Sequence, residues 1–180
     1  HDKRANEEQW VEFANRPEHM QGLGEPEWYP VEKPACFWLG REMSIHGQAR
    51  VILRRRPNEN LLIVGDSNEA RSGILSYLIS QLPLNHAEED FQLYFLERAI
   101  KGSPWHGIMN NAIETCIKGG VHYHEKFDGF EENLIQIKAE FDKRKLMPEE
   151  SILSQPSIYI VINEAQRASE IQKKAGRYGV

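Results

Sequence analysis

The chain contains no apolar run close to the about 18–20 residues a bilayer-spanning helix needs, so no segment of it is expected to insert into a membrane. It contains two cysteines, Cys36 and Cys116, with no metal-ligand spacing. Both sit among apolar or small neighbours, which points to buried thiols in a reducing cytoplasm. Basic residues are not in excess: 22 Lys and Arg against 27 Asp and Glu give a net charge of -5, so the segment does not advertise the basic face of an isolated nucleic-acid binder. There is no internal repeat and no low-complexity segment. The opening HDKRANEEQW is polar and charged, unlike a signal peptide, and without an initiating Met the chain is expected to be an excerpt of a longer one. A cytoplasmic location is expected, with the full-length protein free to be membrane-tethered.

What is present suits one globular domain with a sizeable core, since 40% of the 180 residues are hydrophobic and 27% charged. Residues 1–35, rich in charge, Pro and Trp, are expected to form an irregular N-terminal extension or linker: Glu7–Asn15 has the pattern of a short helix stopped by Pro17, and QGLGEPEWYPVEKP follows as a loop. Residues 36–180 are expected to form an α/β domain. Cys36–Leu39 and Arg50–Leu53 read as short strands with Gly40 and Gly47 supplying turns between them. Asn60–Val64, an apolar run ending in Gly65, reads as a strand buried on both faces. The helix after it carries Leu75, Leu78, Ile79 and Leu82 on one stripe and is expected to end at Pro83. Phe91–Leu96 is a second core strand. Ser103–Pro104 resembles an N-cap and first helical residue, opening a helix with Trp105, Ile108, Met109, Ala112, Ile113 and Cys116 on its apolar face and Gly119–Gly120 at its end. A further helix runs from about Glu131 to Leu146, with Leu134, Ile137 and Phe141 inward and Pro148 as its stop. Ser157–Ile162 is a third core strand. Strands separated by helical stretches predict a mainly parallel sheet covered by helices on both faces.

Chemistry concentrates in two places. In Glu59–Leu82, ENLLIVGDSNEARSGILSYLISQL, a strand, a glycine turn and an amphipathic helix follow in the order of a phosphate-binding loop. Such a loop has the pattern G-x-x-x-x-G-K-[ST]: backbone N–H groups at a helix N-terminus surround the phosphates, the Lys adds a charge, and the hydroxyl holds Mg²⁺. Here the frame is kept and the chemistry is altered. The candidate nucleotide-binding residues are Gly65, Asp66, Ser67, Asn68, Glu69, Ala70, Arg71, Ser72 and Gly73. Ser72 is in place for Mg²⁺. Arg71 keeps the positive charge with a longer, forked side chain, and Ala70 replaces a glycine. Asp66 and Glu69 put negative charge where a phosphate would sit; at about 6 Å and an effective dielectric of about 20 each unit pair costs roughly 3 kcal/mol, far less if the side chains turn to water. The second place is the end of SIYIVI, where Asn163 and Glu164 follow. An ATPase has Asp-Glu there. Asn163 would be an uncharged, weaker Mg²⁺ ligand, Glu164 a general base, and Gln166 a γ-phosphate sensor or a cap. Both places would lie at strand C-termini, where open α/β sheets bind ligands. The cofactors implied are ATP and Mg²⁺.

With these residues in view, the chain resembles the FtsK/SpoIIIE family of RecA-like P-loop translocase ATPases, neighbours of the HerA motors. The resemblance spans about residues 36–180. FWLGREMSIHGQARVILRRRPNENLLIVGD is similar to the family's lead-in to the phosphate-binding loop. FQLYFLERA stands where the family's second strand ends in an Asp-rich turn, here with Glu97 and Arg98. ENLIQIKAEFDKRKL is similar to a helix with a Glu-x-x-x-Arg pattern, here Glu140 and Arg144; SIYIVINEAQR matches the second catalytic strand, and KKAGRYGV the segment leading to a sensor strand. The family's later core strands and any DNA-reading winged-helix module are expected to lie outside this stretch, which reads as a fragment of a longer chain. Ala70, Arg71 and Asn163 depart from the active pattern. The resemblance implies a RecA-like fold. It also implies ring-shaped homo-oligomers or partnership with other ATPase modules of the same chain, and double-stranded DNA as partner of the full assembly. The function expected is that of a degenerate ATPase domain, nucleotide-sensing or structural, with weak or no hydrolysis. Two alternatives stay open: a degenerate module of a type VII-like protein-secretion motor, and a non-enzymatic assembly scaffold.

Smaller features read more plainly. Arg54–Arg55–Arg56 is a solvated edge or a phosphate contact within an assembly. VHYHEKFD reads as a surface strand or loop; were His122 and His124 on one strand face, a metal would still need a third ligand, such as Glu125 or Asp128. Trp28 and Trp105 read as packing residues, and Lys143–Arg144–Lys145 as a helix end favourable to the dipole.

Overall fold

The computed structural model describes residues 35–41, 48–55 and 59–170. The expected N-terminal helix, the proline-rich loop with Trp28, Gly47, Arg56 and the KKAGRYGV segment lie outside the described residues. The chain divides into two compact units, His1–Leu62 and Ile63–Val180.

In the first unit, strand β1 (Ala35–Arg41) pairs antiparallel with β2 (Gln48–Leu53), and the register shifts between Trp38 and Gly40. Ala35, Cys36 and Phe37 are buried. Burial pushes the Cys36 thiol up, against a smaller lowering by Arg50, so the expectation of a buried thiol holds for Cys36, whereas Cys116 is only half-buried. The Arg50 guanidinium also lies 5.6 Å from the centroid of Trp38. Arg54 pairs with Glu59 through its backbone N–H and its side chain, which neutralises the start of the expected basic cluster.

The second unit is α/β. Three parallel strands, β3 (Phe91–Glu97), β4 (Val121–His124) and β5 (Ser157–Asn163), lie in the order β4-β3-β5. Around them run helices α1 (Asn68–Ser80), α2 (Leu82–Asn85), α3 (Ile108–Cys116), α4 (Phe127–Arg144) and α5 (Glu149–Leu153). The central strand is buried along nearly its whole length, which its FQLYFLE run dictates: strands covered on both faces read as continuous apolar runs. On one face Tyr94 and Leu96 pack with Phe127 and Phe130 of α4 and with Ala168, and Leu134, Ile137, Ile158 and Ile162 close around them. The other face carries Leu93, Phe95 and Glu97. Helix α4 begins with Asp128 and ends with Lys143 and Arg144, charges that suit its dipole. Among the described residues no helix is long and apolar enough to cross a membrane.

Four expectations about elements are corrected. Asn60–Val64 forms no strand: it pairs with no strand among the described residues, and Leu62 and Val64 are 81% and 85% exposed. An apolar run specifies a strand only where a ladder partner accepts it, and among the described residues β5 stands at the edge of the sheet. Helix α1 stops at Ser80, and Pro83 falls in the first turn of α2, where its missing N–H costs nothing. Ser103–Pro104 lies in a turn; Gly107, with φ of 84°, caps α3 and delays its start to Ile108. Phe141 faces solvent, under the Lys145 ammonium at 4.4 Å from its ring, while Leu134 and Ile137 do turn inward.

Candidate functional site

The glycine loop ends in an ordinary helix start. Ser67 is the N-cap of α1, and its Oγ accepts from the Ala70 N–H at 3.2 Å. Gly65 and Gly73 have open space where a Cβ would stand, and neither has positive φ. Gly65, Asp66, Ser67, Asn68, Glu69, Ala70 and Gly73 are all exposed. The two acidic side chains are therefore solvated, which shrinks the repulsion toward a bound phosphate.

Arg71 and Ser72 point the other way. The Arg71 guanidinium reaches across to the end of β5 and donates to Glu164 Oε1 at 2.7 Å; the same nitrogen is 2.8 Å from Asn68 Oδ1. Arg167, in the 3₁₀ turn Ala165–Arg167, pairs with the other oxygen, Glu164 Oε2. Each oxygen of Glu164 is thus already engaged by a guanidinium. Its backbone is left-handed, φ 56° and ψ 53°, alone among the described non-glycine residues. That conformation costs about 1–2 kcal/mol for a residue with a Cβ, and such strain persists where surrounding contacts fix it. At the other end of this helical pair, His86, the C-cap of α2, meets Tyr159 Oη of β5 at 2.6 Å. The α1–α2 segment is therefore tied to β5 at both ends.

Asn163 is the register partner of Glu97, the last residue of β3. Its Nδ2 donates to Glu97 Oε1 at 2.8 Å, and the Ala99 N–H donates to the same oxygen at 2.8 Å. Both residues are nearly sealed from solvent, Glu97 at 2% and Asn163 at 1% exposure. Besides Arg71 Nε, five side-chain atoms among the described residues remain buried without a hydrogen-bond partner: Ser72 Oγ, Glu97 Oε2, Asn163 Oδ1, Tyr123 Oη and Glu170 Oε2. Buried polar atoms are rarely left so, and three of the five belong to residues at the ends of β3 and β5 or in the first turns of α1. Burial, then the Glu97 and Glu125 carboxylates, raises the Tyr123 phenol above the ordinary tyrosine range.

Comparisons with protein-family models, with curated proteins and with solved structures give no match to this chain.

Of the residues singled out from sequence, the fold brings Arg71, Ser72, Asn163 and Glu164 to one end of the sheet and leaves the rest of the glycine loop in solvent. Gln166 is exposed in the 3₁₀ turn. Ser72 and Asn163 each present an unpartnered buried oxygen, which fits the role of hard-cation ligand. Sequence reasoning missed the parts played by Glu97 and Arg167. Glu97 closes an apolar strand just as Asn163 closes its neighbour, and that shared position was the available signal. Among the described residues no group of three or more His, Cys, Asp or Glu could hold a metal. His122 stacks on Tyr94 at 4.4 Å and 6°, and His124 Nε2 meets Asn133 Nδ2 at 2.5 Å.

Proposed function

We propose that this chain is a degenerate P-loop nucleotide-binding domain of the RecA-like, FtsK/HerA translocase type, acting as a nucleotide-sensing or structural module with weak or no hydrolysis. The observation that carries the reading is the Arg71–Glu164 ion pair. It joins the helix that follows the glycine loop to the strand end that would carry the catalytic pair. That juxtaposition, at the carboxyl end of a parallel sheet, is where open α/β folds receive ligands. In the reading, an ATP phosphate approaches the N-terminus of α1, draws Arg71 from Glu164 and replaces the carboxylate as its partner. Ser72 and Asn163 would hold the Mg²⁺ of the nucleotide. Glu164 would be the general base, but its two guanidinium partners argue for slow chemistry, and the replacement of Lys by Arg71 and of Asp by Asn163 argues the same way. In a ring of like or tandem modules moving double-stranded DNA, such a domain would report nucleotide state or support an active neighbour.

Binding of a fluorescent ATP analogue, with and without Mg²⁺, tests this. Micromolar binding weakened at least tenfold by Arg71→Ala and made Mg²⁺-independent by Ser72→Ala is expected. No binding up to millimolar ATP would sink the nucleotide reading and favour a scaffold that uses the sheet only for assembly.

A further inference from the structure

The Glu97–Asn163 pair has a chemistry that neither residue has alone. A carboxylate only accepts hydrogen bonds, so the contact with Glu97 Oε1 must come from the amide nitrogen of Asn163. This fixes the carboxamide orientation: Nδ2 is spent on Glu97, and Oδ1 is turned away from it. The result is two buried oxygens on neighbouring strand ends, Glu97 Oε2 and Asn163 Oδ1, both without partners. Neither can satisfy the other, since both are acceptors. The Ser72 hydroxyl, near the start of α1, is buried and unpartnered as well.

Charge tells the same story. Glu164 is compensated by Arg71 and Arg167. Glu97 is just as buried and has no cationic partner among the described residues. Leaving a carboxylate buried and uncompensated costs several kcal/mol. Its field is felt next door, as one of the causes that raise the Tyr123 phenol. A cation would remove both deficits together. The donors are all oxygen, with no thiolate or imidazole, which selects a hard ion such as Mg²⁺, Mn²⁺ or Ca²⁺ over zinc.

We propose that Glu97 is the anionic ligand of a hard divalent cation held with Asn163 and Ser72 at the carboxyl end of the sheet. The charge absent from Asn163 is supplied by its register partner across the β3–β5 ladder. The inference rests on the nucleotide reading in that Ser72 and a phosphate would complete the coordination; the Glu97–Asn163 pair stands without it.

The test is an electron paramagnetic resonance titration of the 180-residue chain with Mn²⁺ alone, repeated on two variants. The wild type is expected to hold one Mn²⁺ per chain at a saturable, millimolar or tighter site. Glu97→Gln keeps the shape and removes the charge, and should weaken that site at least tenfold, with circular dichroism confirming the fold. Asn163→Asp adds a second carboxylate and should tighten Mn²⁺ at least tenfold. Its thermal midpoint should fall without the ion, because two buried carboxylates repel, and recover with it. No saturable site in the wild type, an unchanged titration in folded Glu97→Gln, or no tightening in Asn163→Asp would each overturn the proposal. If Glu97→Gln fails to fold, the Asn163→Asp arm decides. A chain that binds Mn²⁺ as described but no ATP analogue retains the cation site and loses the nucleotide reading; one that binds the analogue but shows no Mn²⁺ site does the reverse.

Discussion

Gly120 shows how a single position can be set by its neighbour's backbone. Its φ is 70°, and a Cβ there would stand 2.8 Å from the Phe91 carbonyl oxygen. Its own carbonyl accepts from the Leu93 N–H at 2.8 Å, so it fastens the start of β4 to β3. Gly120→Ala is expected to lower stability by about 2 kcal/mol or more, combining left-handed strain with a backbone clash, read from urea unfolding. Arg71 is the opposite kind of residue, fixed by charge. Its removal leaves Glu164 with Arg167 still attached, so Arg71→Ala should cost about 1–3 kcal/mol, below the 3–5 kcal/mol of a buried ion left wholly alone. Double-mutant cycles with Glu164→Gln would measure the coupling; a coupling near zero would show that the contact contributes nothing to the site.

At the scale of elements, the telling contrast is between two apolar runs of the same chain. FQLYFLE becomes the central strand because β4 and β5 pair with its two edges. NLLIV, with an equally apolar pattern, is left as exposed coil. The double substitution Leu62→Ser, Val64→Ser should therefore change stability by less than about 0.5 kcal/mol, as surface changes do, and should raise solubility by removing exposed apolar side chains. A loss of several kcal/mol in chemical denaturation would mean that this segment is packed in solution. Helix α4 behaves as its pattern asks over Phe127–Ile137 and then departs from it at Phe141, which is exposed, while Arg144 one turn on reaches the Pro156 carbonyl ahead of β5.

For the whole molecule, pH reports on how the sheet face under α4 is built. His124 lies against Phe130 and Asn133, and a Cβ on Gly129 would meet its ring at 2.9 Å. Burial, then the neighbouring His122, lowers its pKa from the usual histidine range, with Glu132 opposing. The folded state thus prefers the neutral ring. At pH below the unfolded histidine value of about 6.5 the unfolded chain binds the proton more readily. Stability from this group is complete above that pH and is lost as pH falls through it toward the lower folded value. The thermal midpoint should drop between about pH 7 and 5.5, and His124→Gln should flatten that slope. An unchanged slope in the variant would assign the acid sensitivity elsewhere.

The amino-acid sequence by itself determined the class of the second unit. Two of the three core strands read from sequence, Phe91–Leu96 and Ser157–Ile162, form with helical periods between them, because burial on both faces and the 3.6-residue stripe are local properties of the chain; the third strand of the sheet, Val121–His124, does not read as core. It also marked Arg71, Ser72, Asn163 and Glu164 as chemically unusual, since each stands at a strand or helix terminus where ligands are met. Only the tertiary structure decided which strand found a partner, why Asn60–Val64 did not, and where α3 begins. The site depended on it still more. The Glu97–Asn163 contact spans 66 positions and the Arg71–Glu164 pair spans 93. No local pattern encodes which carboxylate is answered by a guanidinium and which is left bare; that follows from strand register and from the burial that makes an unanswered charge costly.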